Sequence, residues 1–411
     1  MSFDAFHDFG DAPEPREIEV SEKAQGVRHP QRNETALASS AVGRATGAIR
    51  PAAPALFLSA TYAWDDPDTK PEYDYARSGN PTRTALEETL AKLEGAAGGV
   101  VAATGMAAVN LPLCLVKPGE RIIAPHDCYG GTHRLLRSRA AQGHFDVDWV
   151  DLTDEKACRE AFASPVRLVL IETPSNPLLR ITDIEKIVRL SHAQNAIVVA
   201  DNTFLSPALQ NPLALGCDIV VHSTTKYVNG HSDVVGGAVL ARDPSVAEEL
   251  GWWANCTGVT GSPFDSYLTL RGARTLFTRI ERQQETTGAL AERLVTDHRI
   301  ANVNYPGLTS HPQHDLAARQ QKGFGAMLSF DLADGVDPSE FLRRLDVFTL
   351  AESLGGCESL ACRPSTMTHA AMTPEARQEA GISDGLIRLS VGLEHVEDLL
   401  ADLDQALSAA S

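Results

Sequence analysis

The sequence predicts an α/β protein with a mainly parallel sheet flanked by helices, followed by a smaller C-terminal α+β domain. Short runs rich in β-branched residues alternate with connections long enough for helices, which is typical of a parallel sheet covered on both faces. After about residue 270, longer helical stretches dominate and only two further strand-like runs interrupt them. A chain of 411 residues is also too long for one ordinary core, so we expect two domains.

The first clear element is an amphipathic helix, followed by the strand-like runs. Leu86, Leu90 and Leu93 in TRTALEETLAKLEG recur at helical spacing and predict one buried face. The predicted strands of the first domain are GGVVAA, RIIAPH, FDVDWVD, RLVLIETP, AIVVADN, DIVVHSTTK and VVGGAVLA, and those of the second are GFGAMLSFDL and LIRLSVGLE. Ligands gather at the carboxyl ends of parallel strands, so ETPSNP, DNTF and STTK predict the functional site.

Composition excludes several classes of function. Hydrophobic residues make up 43% and charged residues 22%, as in ordinary globular proteins. A formal net charge of −18 leaves no basic stripe for a nucleic acid. No apolar run approaches the roughly 20 residues that span a bilayer, and the acidic start lacks the features of a signal peptide. Seven cysteines without a C-x-x-C pair predict neither a disulfide framework nor a metal site. We therefore expect a cytoplasmic protein with no nucleic-acid or membrane partner.

Lys226 in VVHSTTKYVNGHSD is the first candidate for chemistry. A lysine directly after an apolar strand is unusual, because burying an ammonium group is costly. Schiff-base chemistry uses this arrangement, since desolvation lowers the pKa of the amine and the imine removes its charge. The alternative is a surface lysine whose aliphatic stem lies on apolar neighbours.

Two segments suggest a phosphate site near this lysine. Ser223 and Thr225 stand at alternate positions before Lys226, so both hydroxyls can point toward one anion. In AATGMAAV, Gly105 permits close approach of the backbone, and the helix that follows offers free N–H groups. An ordinary strand-to-helix turn is the alternative for this segment.

Three further side chains are candidates for holding a pyridine ring and a substrate. Asp201 ends AIVVAD and is placed to keep the nitrogen of pyridoxal phosphate (PLP) protonated, or alternatively to cap a helix or pair with a cation. Tyr129 in HDCYGG is placed to stack on the ring, unless it is only a turn residue. Arg388 in LIRLSVG lies in an apolar strand, where its fork suits either a substrate α-carboxylate or a structural ion pair.

Together these segments resemble the Cys/Met-metabolism family of PLP enzymes, which have the PLP-dependent transferase fold of the aspartate-aminotransferase type (fold type I). The resemblance runs from about residue 50 to the C-terminus, and DNTFLSPALQNPLALGCDIVVHSTTKYVNGHSDVVGG carries it. It implies PLP as the cofactor, with Lys226 as the Schiff-base lysine and proton-shuttling base. The other cofactor contacts that it implies are Gly105, Met106, Ser223 and Thr225 at the phosphate, Asp201 at the pyridine nitrogen, Tyr129 over the ring, Asn176 in PSNP near the phenolic oxygen, and Thr203 beside the ring.

The resemblance also implies shared active sites. Tyr75 and Arg77 in DYARSGNPTR match a pair that the family lends to the phosphate of a neighbouring subunit, so we expect a homotetramer built from two such dimers. We predict an N-terminal arm over residues 1–76, whose first 45 or so residues are mobile and whose later part contacts the neighbour. A PLP-binding domain over 77–280 and a C-terminal domain over 281–411 follow.

The same resemblance implies amino-acid substrates. Arg388 matches the clamp for the α-carboxylate, and Ser353 in AESLGG matches a residue of the same pocket. Glu352 and Arg134 match residues found in several branches of the family. Arg134 is either the partner of a distal carboxylate, such as a succinyl group, or an exposed helix charge. Tyr129 and Tyr75 are candidates for assisting proton transfers.

Within the family, two branches fit this sequence. APHDCYGGTHRLL, PSNPLLRITDI and ARQQKGFGAMLSF look most like cystathionine γ-synthases, which join an O-acylhomoserine to cysteine in methionine biosynthesis by transsulfuration. The C-terminal GISDGLIRLSVGLEHVEDLLADLDQAL equally resembles cystathionine γ-lyases. We favour γ-replacement with O-succinylhomoserine and keep the γ-lyase as the alternative.

Two other classes of protein fit less well. A catalytically silent scaffold with this fold would be expected to have lost Lys226, Asp201 or Arg388, and all three are present. A nucleotide-binding protein would need a phosphate loop of the type G-x-x-x-x-G-K-[ST] or G-x-G-x-x-G, which the sequence lacks.

Overall fold

A computed structural model describes residues 32–38, 51–370 and 372–411 of the chain. From Asn33 to the C-terminus these residues belong to one compact unit. Most of the predicted mobile arm lies outside the described residues. Its described part forms the short helix α1 (Asn33–Ala38), in which Leu37 is buried. In the described residues, no helix is both long and apolar enough to cross a membrane.

A seven-stranded sheet forms the larger layer, and every predicted strand of the first domain is present in it. The strands are β1 (Gly98–Ala102), β2 (Arg121–Pro125), β3 (Asp146–Val150), β4 (Leu168–Glu172), β5 (Ile197–Asp201), β6 (Ile219–His222) and β7 (Gly237–Ala241). Their order is β1-β7-β6-β5-β4-β2-β3, and the five strands from β6 to β3 are parallel. Only β7 runs antiparallel to its neighbours β6 and β1. The sequence prediction of a mainly parallel sheet is confirmed.

Helices cover both faces of this sheet. The helices of this part of the chain are α2 (Pro81–Glu94), α3 (Gly105–Leu113), α4 (Gly130–Ala141), α5 (Glu155–Ala161), α6 (Ile184–His192), α7 (Ser206–Leu209), α8 (Pro244–Thr257) and α9 (Pro263–Ala273). The long helix α10 (Leu276–Val295) follows them and packs mainly on the smaller sheet. The sequence explains the bounds of α2: the Asn80 side chain accepts hydrogen bonds from the first turn, and Gly95 ends the helix at a φ of 73°. The predicted leucine face of α2 is buried in the core.

A five-stranded sheet and four helices form the smaller layer. The strands are β8 (Ile300–Asn304), β9 (Met327–Leu332), β10 (Thr349–Leu350), β11 (Leu360–Cys362) and β12 (Leu386–Ser390), in the order β10-β11-β12-β9-β8. The helices are α11 (His314–Gln320), α12 (Pro338–Arg344), α13 (Pro374–Ala380) and α14 (Val396–Ala410). The two strands predicted here are β9 and β12. The predicted domain boundary at residue 280 falls inside α10 and stays a prediction.

Candidate active site

The predicted polar segments meet at one edge of the large sheet. The strands β4, β5 and β6 are neighbours, so the segments that follow them lie side by side. Thr203 joins two of these segments, because its amide donates to Asp201 Oδ1 (3.0 Å) and its hydroxyl accepts from the Ser223 amide (2.9 Å). Thr203 therefore fixes the Asp201 carboxylate relative to the turn that carries Lys226.

Lys226 is half-buried on that turn, and its amine has a defined partner. Nζ donates to Ser353 Oγ at 2.7 Å. Burial and the nearby Arg388 lower the pKa of Lys226 to about 8, although Glu352 acts in the opposite direction. An uncharged amine is therefore accessible close to neutral pH, as a nucleophile or base requires.

Ser353 belongs to a loop that packs directly on the lysine turn. Its φ is 98°, in the left-handed region that a side chain other than glycine seldom adopts. Two residues later, a Cβ atom added at Gly355 would lie 2.7 Å from the Tyr227 amide nitrogen. The close approach of the two backbones holds the Ser353 hydroxyl within reach of Lys226.

Arg388 is a buried guanidinium without an anionic partner. It is 3% exposed, and Nη1 donates to Asn176 Oδ1 (2.9 Å) while Nη2 donates to the Ser353 carbonyl (3.0 Å). Its Nε has no hydrogen-bond partner, and no carboxylate of the described residues lies within ion-pair distance. A buried, uncompensated cation is costly, and a bidentate carboxylate ligand would relieve that cost.

The start of α3 provides an anion site beside the lysine turn. The Thr104 hydroxyl accepts from the Ala107 amide, so the amides of Gly105 and Met106 are the helix donors left without an intrahelical acceptor. A Cβ atom at Gly105 would lie 2.7 Å from Ser223 Oγ. This glycine thus allows the helix N-terminus and a hydroxyl to meet where a phosphate would bind.

The Thr225 hydroxyl is used differently from Ser223. It donates to the Gly236 carbonyl (3.2 Å) and accepts from the Gly236 amide (2.9 Å). These bonds tie the lysine turn to the start of β7. A bond from this hydroxyl to phosphate would replace the bond to the Gly236 carbonyl.

Two carboxylates lie together at the ends of β4 and β5. Glu172 and Asp201 are direct partners in the ladder, so their side chains leave the same face. Burial, followed by the charge of Asp201, raises the pKa of Glu172 well above its usual value, and burial also raises the pKa of Asp201. No lysine or arginine of the described residues pairs with either group. The position therefore favours a ligand that brings a positive charge.

Tyr129 lies at the start of α4 and is 43% exposed. A Cβ atom at Gly131 would come within 2.5 Å of the Tyr129 ring and 2.9 Å of Met106 Sδ. Only glycine leaves room for the ring to lie next to Met106 and the phosphate site. Tyr129 is thus exposed beside the phosphate site, where a planar ligand has an aromatic neighbour.

Three predicted site residues are not brought to this cluster within the chain. Tyr75 is half exposed, and Arg77 lies over its ring at 5.8 Å and donates to the carbonyl of Asn255 at the end of α8 (2.8 Å). Arg134, the third, is exposed on α4. Glu352 is exposed next to Ser353 and is close enough to Lys226 to act on its pKa.

Comparison with known proteins identifies the family. The profile of the family described as Cys/Met metabolism PLP-dependent enzyme matches residues 35–408. The chain belongs to this family. A cystathionine γ-synthase of Escherichia coli is 54% identical over 87% of this chain and 93% of its own, and a cystathionine β-lyase of Lactococcus lactis is 45% identical over 86% and 93%.

The fold of this chain also closely matches that of a solved structure. The cystathionine γ-synthase of Xanthomonas oryzae, in complex with aminoacrylate and cysteine, is 54% identical and superposes with a TM-score of 0.91 over 93% of this chain and 99% of that one. The predicted family and the PLP-dependent transferase fold are thereby confirmed.

PLP is the cofactor of this Cys/Met-metabolism enzyme, and the chain fits it at each functional group. The amine with a lowered pKa at Lys226 suits attachment to an aldehyde, and the free amides at Gly105 suit a phosphate. The buried Asp201 carboxylate suits a protonated ring nitrogen, and the exposed aromatic side chain of Tyr129 suits a planar ring.

One functional residue escaped prediction from the sequence. Glu172 accepts the Tyr129 amide at Oε2 (2.9 Å) and the Asn176 amide at Oε1 (3.2 Å). It therefore fixes both the aromatic residue and the residue that orients Arg388. Its place at the end of the run RLVLIE, directly before TPSNP, was the available signal, because strand ends of such sheets face the ligand.

Proposed function

We propose that this enzyme catalyses γ-replacement, in which O-succinylhomoserine and cysteine give cystathionine and succinate. The observation that supports it best is the 54% identity to the γ-synthase of Escherichia coli over nearly the whole length of both chains. The geometry adds an amino-acid site: an unpaired Arg388 lies beside the amine of Lys226, and both contact Ser353.

In this proposal Arg388 binds the substrate α-carboxylate through its fork, with Asn176 and the Ser353 carbonyl fixing the guanidinium plane. The Lys226 amine takes the α-proton and later moves protons at the neighbouring carbons, while the Ser353 hydroxyl holds Nζ between these positions. Asp201 keeps the proton on the ring nitrogen. Bound PLP supplies an electron sink, which makes the carbon acids of the substrate acidic enough for these transfers.

The γ-carbon exchanges one bond for another in this reaction. Its bond to the succinyl oxygen breaks and succinate leaves, and its bond to the sulfur of cysteine forms after the thiol loses a proton. The exposed Arg134 on α4 is the proposed partner of the distal carboxylate of the succinyl group, and the exposed Glu352 beside Ser353 is a further proposed substrate contact. Tyr129 and Tyr75 are the proposed assistants in proton transfer.

A lyase activity on cystathionine is the second candidate. It is favoured by the 45% identity to the β-lyase of Lactococcus lactis over 93% of that chain. A β-lyase would release homocysteine, pyruvate and ammonia, whereas a γ-lyase would release cysteine, 2-oxobutyrate and ammonia. All three reactions need the same amine, clamp and ring, so they differ in the pocket around the γ-carbon and sulfur.

The deciding experiment incubates the PLP-loaded protein with O-succinylhomoserine, with and without cysteine, and separately with cystathionine. Products are identified by mass spectrometry, and O-acetylhomoserine is tested in parallel. Cystathionine formed only in the presence of both substrates, with little breakdown of added cystathionine, is the expected result. Rapid release of pyruvate or of 2-oxobutyrate from cystathionine would replace the proposal by a β-lyase or a γ-lyase, respectively.

We also propose that the enzyme works as a homotetramer in the cytoplasm. The exposed position of Tyr75 and Arg77, away from the site of their own chain, supports a role in the site of a neighbour. All seven cysteines are free thiols, which suits a reducing compartment. Light scattering coupled to size exclusion measures the assembly, and a monomer would contradict the proposal.

A further inference from the structure

Arg279 is a second buried guanidinium, and it lies outside the cluster described above. It projects from the first turn of α10 and is 4% exposed. No carboxylate of the described residues lies within ion-pair distance, and its Nη1 has no hydrogen-bond partner. Burial lowers the pKa of this guanidinium to about 10. A charge kept at such a cost, without an anion, needs an explanation other than an ion pair.

The hydrogen bonds of Arg279 go to the backbone of the lysine turn. Nη2 donates to the carbonyls of Tyr227 (2.9 Å) and Val228 (3.4 Å), the two residues that follow Lys226. It also donates to the Gly272 carbonyl (3.1 Å), and Nε donates to the Thr275 hydroxyl (3.1 Å). The planar fork thus ties the turn to the junction of α9 and α10.

The packing around this guanidinium leaves no free space. A Cβ atom at Gly230, which has a φ of 70°, would lie 1.9 Å from Arg279 Nη1. A Cβ atom at Gly272 would lie 2.0 Å from the Asn229 carbonyl oxygen. Two glycines therefore allow the turn, the helix junction and the guanidinium to approach one another, and this contact fixes the backbone position of Lys226.

The next turn of α10 holds the other partner of the amine. Gln283 is fully buried and donates through Nε2 to the Gly356 carbonyl (2.7 Å), three residues beyond Ser353. The thiol of Cys357, the next residue of the same loop, donates to the Gly230 carbonyl of the lysine turn (3.2 Å). One helix face thus contacts both the turn that carries the amine and the loop that carries its hydroxyl acceptor.

We propose that Arg279, together with Gln283, is a positioning residue for Lys226. The amine is attached through four rotatable bonds and must return to the same position in every proton transfer. The rate of proton transfer therefore depends on a fixed position of the Lys226 Cα and of Ser353. The neutral carbonyl acceptors explain why Arg279 has no anion. This inference rests on the proposed role of Lys226 but not on the choice between synthase and lyase.

The test compares Arg279→Lys and Arg279→Gln with a matched control, Arg282→Lys. The control changes an arginine of the same helix that is 42% exposed and pairs only with Glu285 (3.2 Å). Rates are measured on the holoenzyme per bound cofactor across pH, together with the visible absorption of the cofactor and the thermal midpoint. We expect kcat to fall by about 10-fold to 100-fold in both Arg279 variants and to be unchanged in the control.

The pH dependence separates positioning from simple stabilisation. A free amine released from its buried position regains solvent, so the limb of the kcat profile near pH 8 should move toward the ordinary lysine value. The absorption titration should shift as well, because it reports the nitrogen through which Lys226 joins the cofactor and that nitrogen has lost its fixed position. The KM for the amino acid should change by less than about threefold, because the Arg388 fork itself is intact.

Two outcomes would overturn the inference. One is a lower thermal midpoint with kcat, the pH profile and the absorption titration unchanged per bound cofactor, which would make Arg279 merely structural. If the Arg279 variants do not fold, Gln283→Met removes the bond to Gly356 at nearly constant volume, and an unchanged profile in that variant would equally reject the proposal. An active Lys226→Ala variant would instead reject the role of Lys226 on which the inference rests.

Discussion

Arg388 and Lys226 are two cations that lie within reach of one serine, and their environments give them different tasks. Ser353 accepts from Lys226 Nζ through its hydroxyl and from Arg388 through its carbonyl. Arg388 presents a planar fork that suits a carboxylate, whereas burial brings the pKa of Lys226 to about 8. One residue thus binds the anion and the other exchanges protons.

Arg388→Lys tests the clamp. Lysine keeps the positive charge but cannot donate two parallel bonds to a carboxylate, so we expect the KM of the amino-acid substrate to rise by about 100-fold. Steady-state kinetics measure it, with Arg343→Lys on the exposed face of α12 as the control. A KM within twofold of the unchanged enzyme would show that the carboxylate binds elsewhere.

The pKa of Lys226 predicts the pH dependence of turnover. Because burial lowers this pKa to about 8, the neutral amine becomes the main form above that pH. The kcat measured across pH should therefore rise through this range and then level off.

Replacing the lysine tests its role directly. Lys226→Ala should abolish turnover, whereas Lys156→Ala on the surface of α5 should not change it. Full activity in the Lys226 variant would disprove the central assignment.

Glu172→Gln tests the residue that the sequence did not reveal. An amide has only one acceptor oxygen, so it must present a donor to either the Tyr129 or the Asn176 amide, both of which are donors themselves. We expect the affinity for PLP to fall by about tenfold, the equivalent of one lost hydrogen bond to a buried group. Fluorescence titration of PLP measures it, with exposed Glu185→Gln as the control, and an unchanged affinity would contradict the role.

At the scale of elements, the N-terminus of α3 shows how one glycine defines a ligand site. Gly105→Ala would place a Cβ atom 2.7 Å from the Ser223 side chain and push apart the helix and the lysine turn. We expect PLP binding to weaken by more than about tenfold with the secondary structure retained, as measured by equilibrium dialysis and circular dichroism.

Gly288→Ala is the matched control for that substitution. Its Cβ atom would meet nothing within 4 Å, and alanine is the better residue inside α10. We expect this variant to bind PLP normally and to be slightly more stable to heat. Normal PLP binding in both alanine variants would show that the close approach at Gly105 is dispensable.

Elements with a strong hydrophobic pattern were predictable, and weakly patterned ones were not. The seven strands of the large sheet were found because their runs are apolar and β-branched. The strands β8, β10 and β11 were missed, since β8 contains two asparagines and no buried residue, β10 has two exposed residues and β11 has only three residues. Short strands at a sheet edge owe their conformation to their neighbours more than to their own sequence.

The same distinction separates predicted from missed site residues. Local sequence was enough to find Lys226, Asp201 and Arg388, because a charged residue beside or within an apolar strand is unusual. Glu172 and Arg279 act on backbone groups from 43 to 52 residues away along the chain. The strand-end position of Glu172 was a local signal for the residue, but no local pattern encodes these distant contacts, so only the folded chain reveals what the two side chains bind.

At the scale of the whole molecule, the site combines residues of both sheets, and we propose that a neighbouring chain completes it. Mixed assembly tests this proposal. Lys226→Ala and Arg77→Ala chains should each be inactive alone, yet dimers of the two would contain one site in which both residues are intact. After subunit exchange we expect about a quarter of the full activity, as random pairing predicts for shared sites. No recovery after proven exchange would place both residues in the site of one chain.

The paired carboxylates of Glu172 and Asp201 also affect how long the protein lasts. Without a cation beside them they oppose folding, and the cofactor that relieves them binds the native chain alone. Each tenfold excess of free PLP over its dissociation constant should then add about 1.4 kcal/mol to the free energy of unfolding. Unfolded chains are the ones that proteases degrade. A cell short of vitamin B6 would therefore hold less of this protein at an unchanged rate of synthesis.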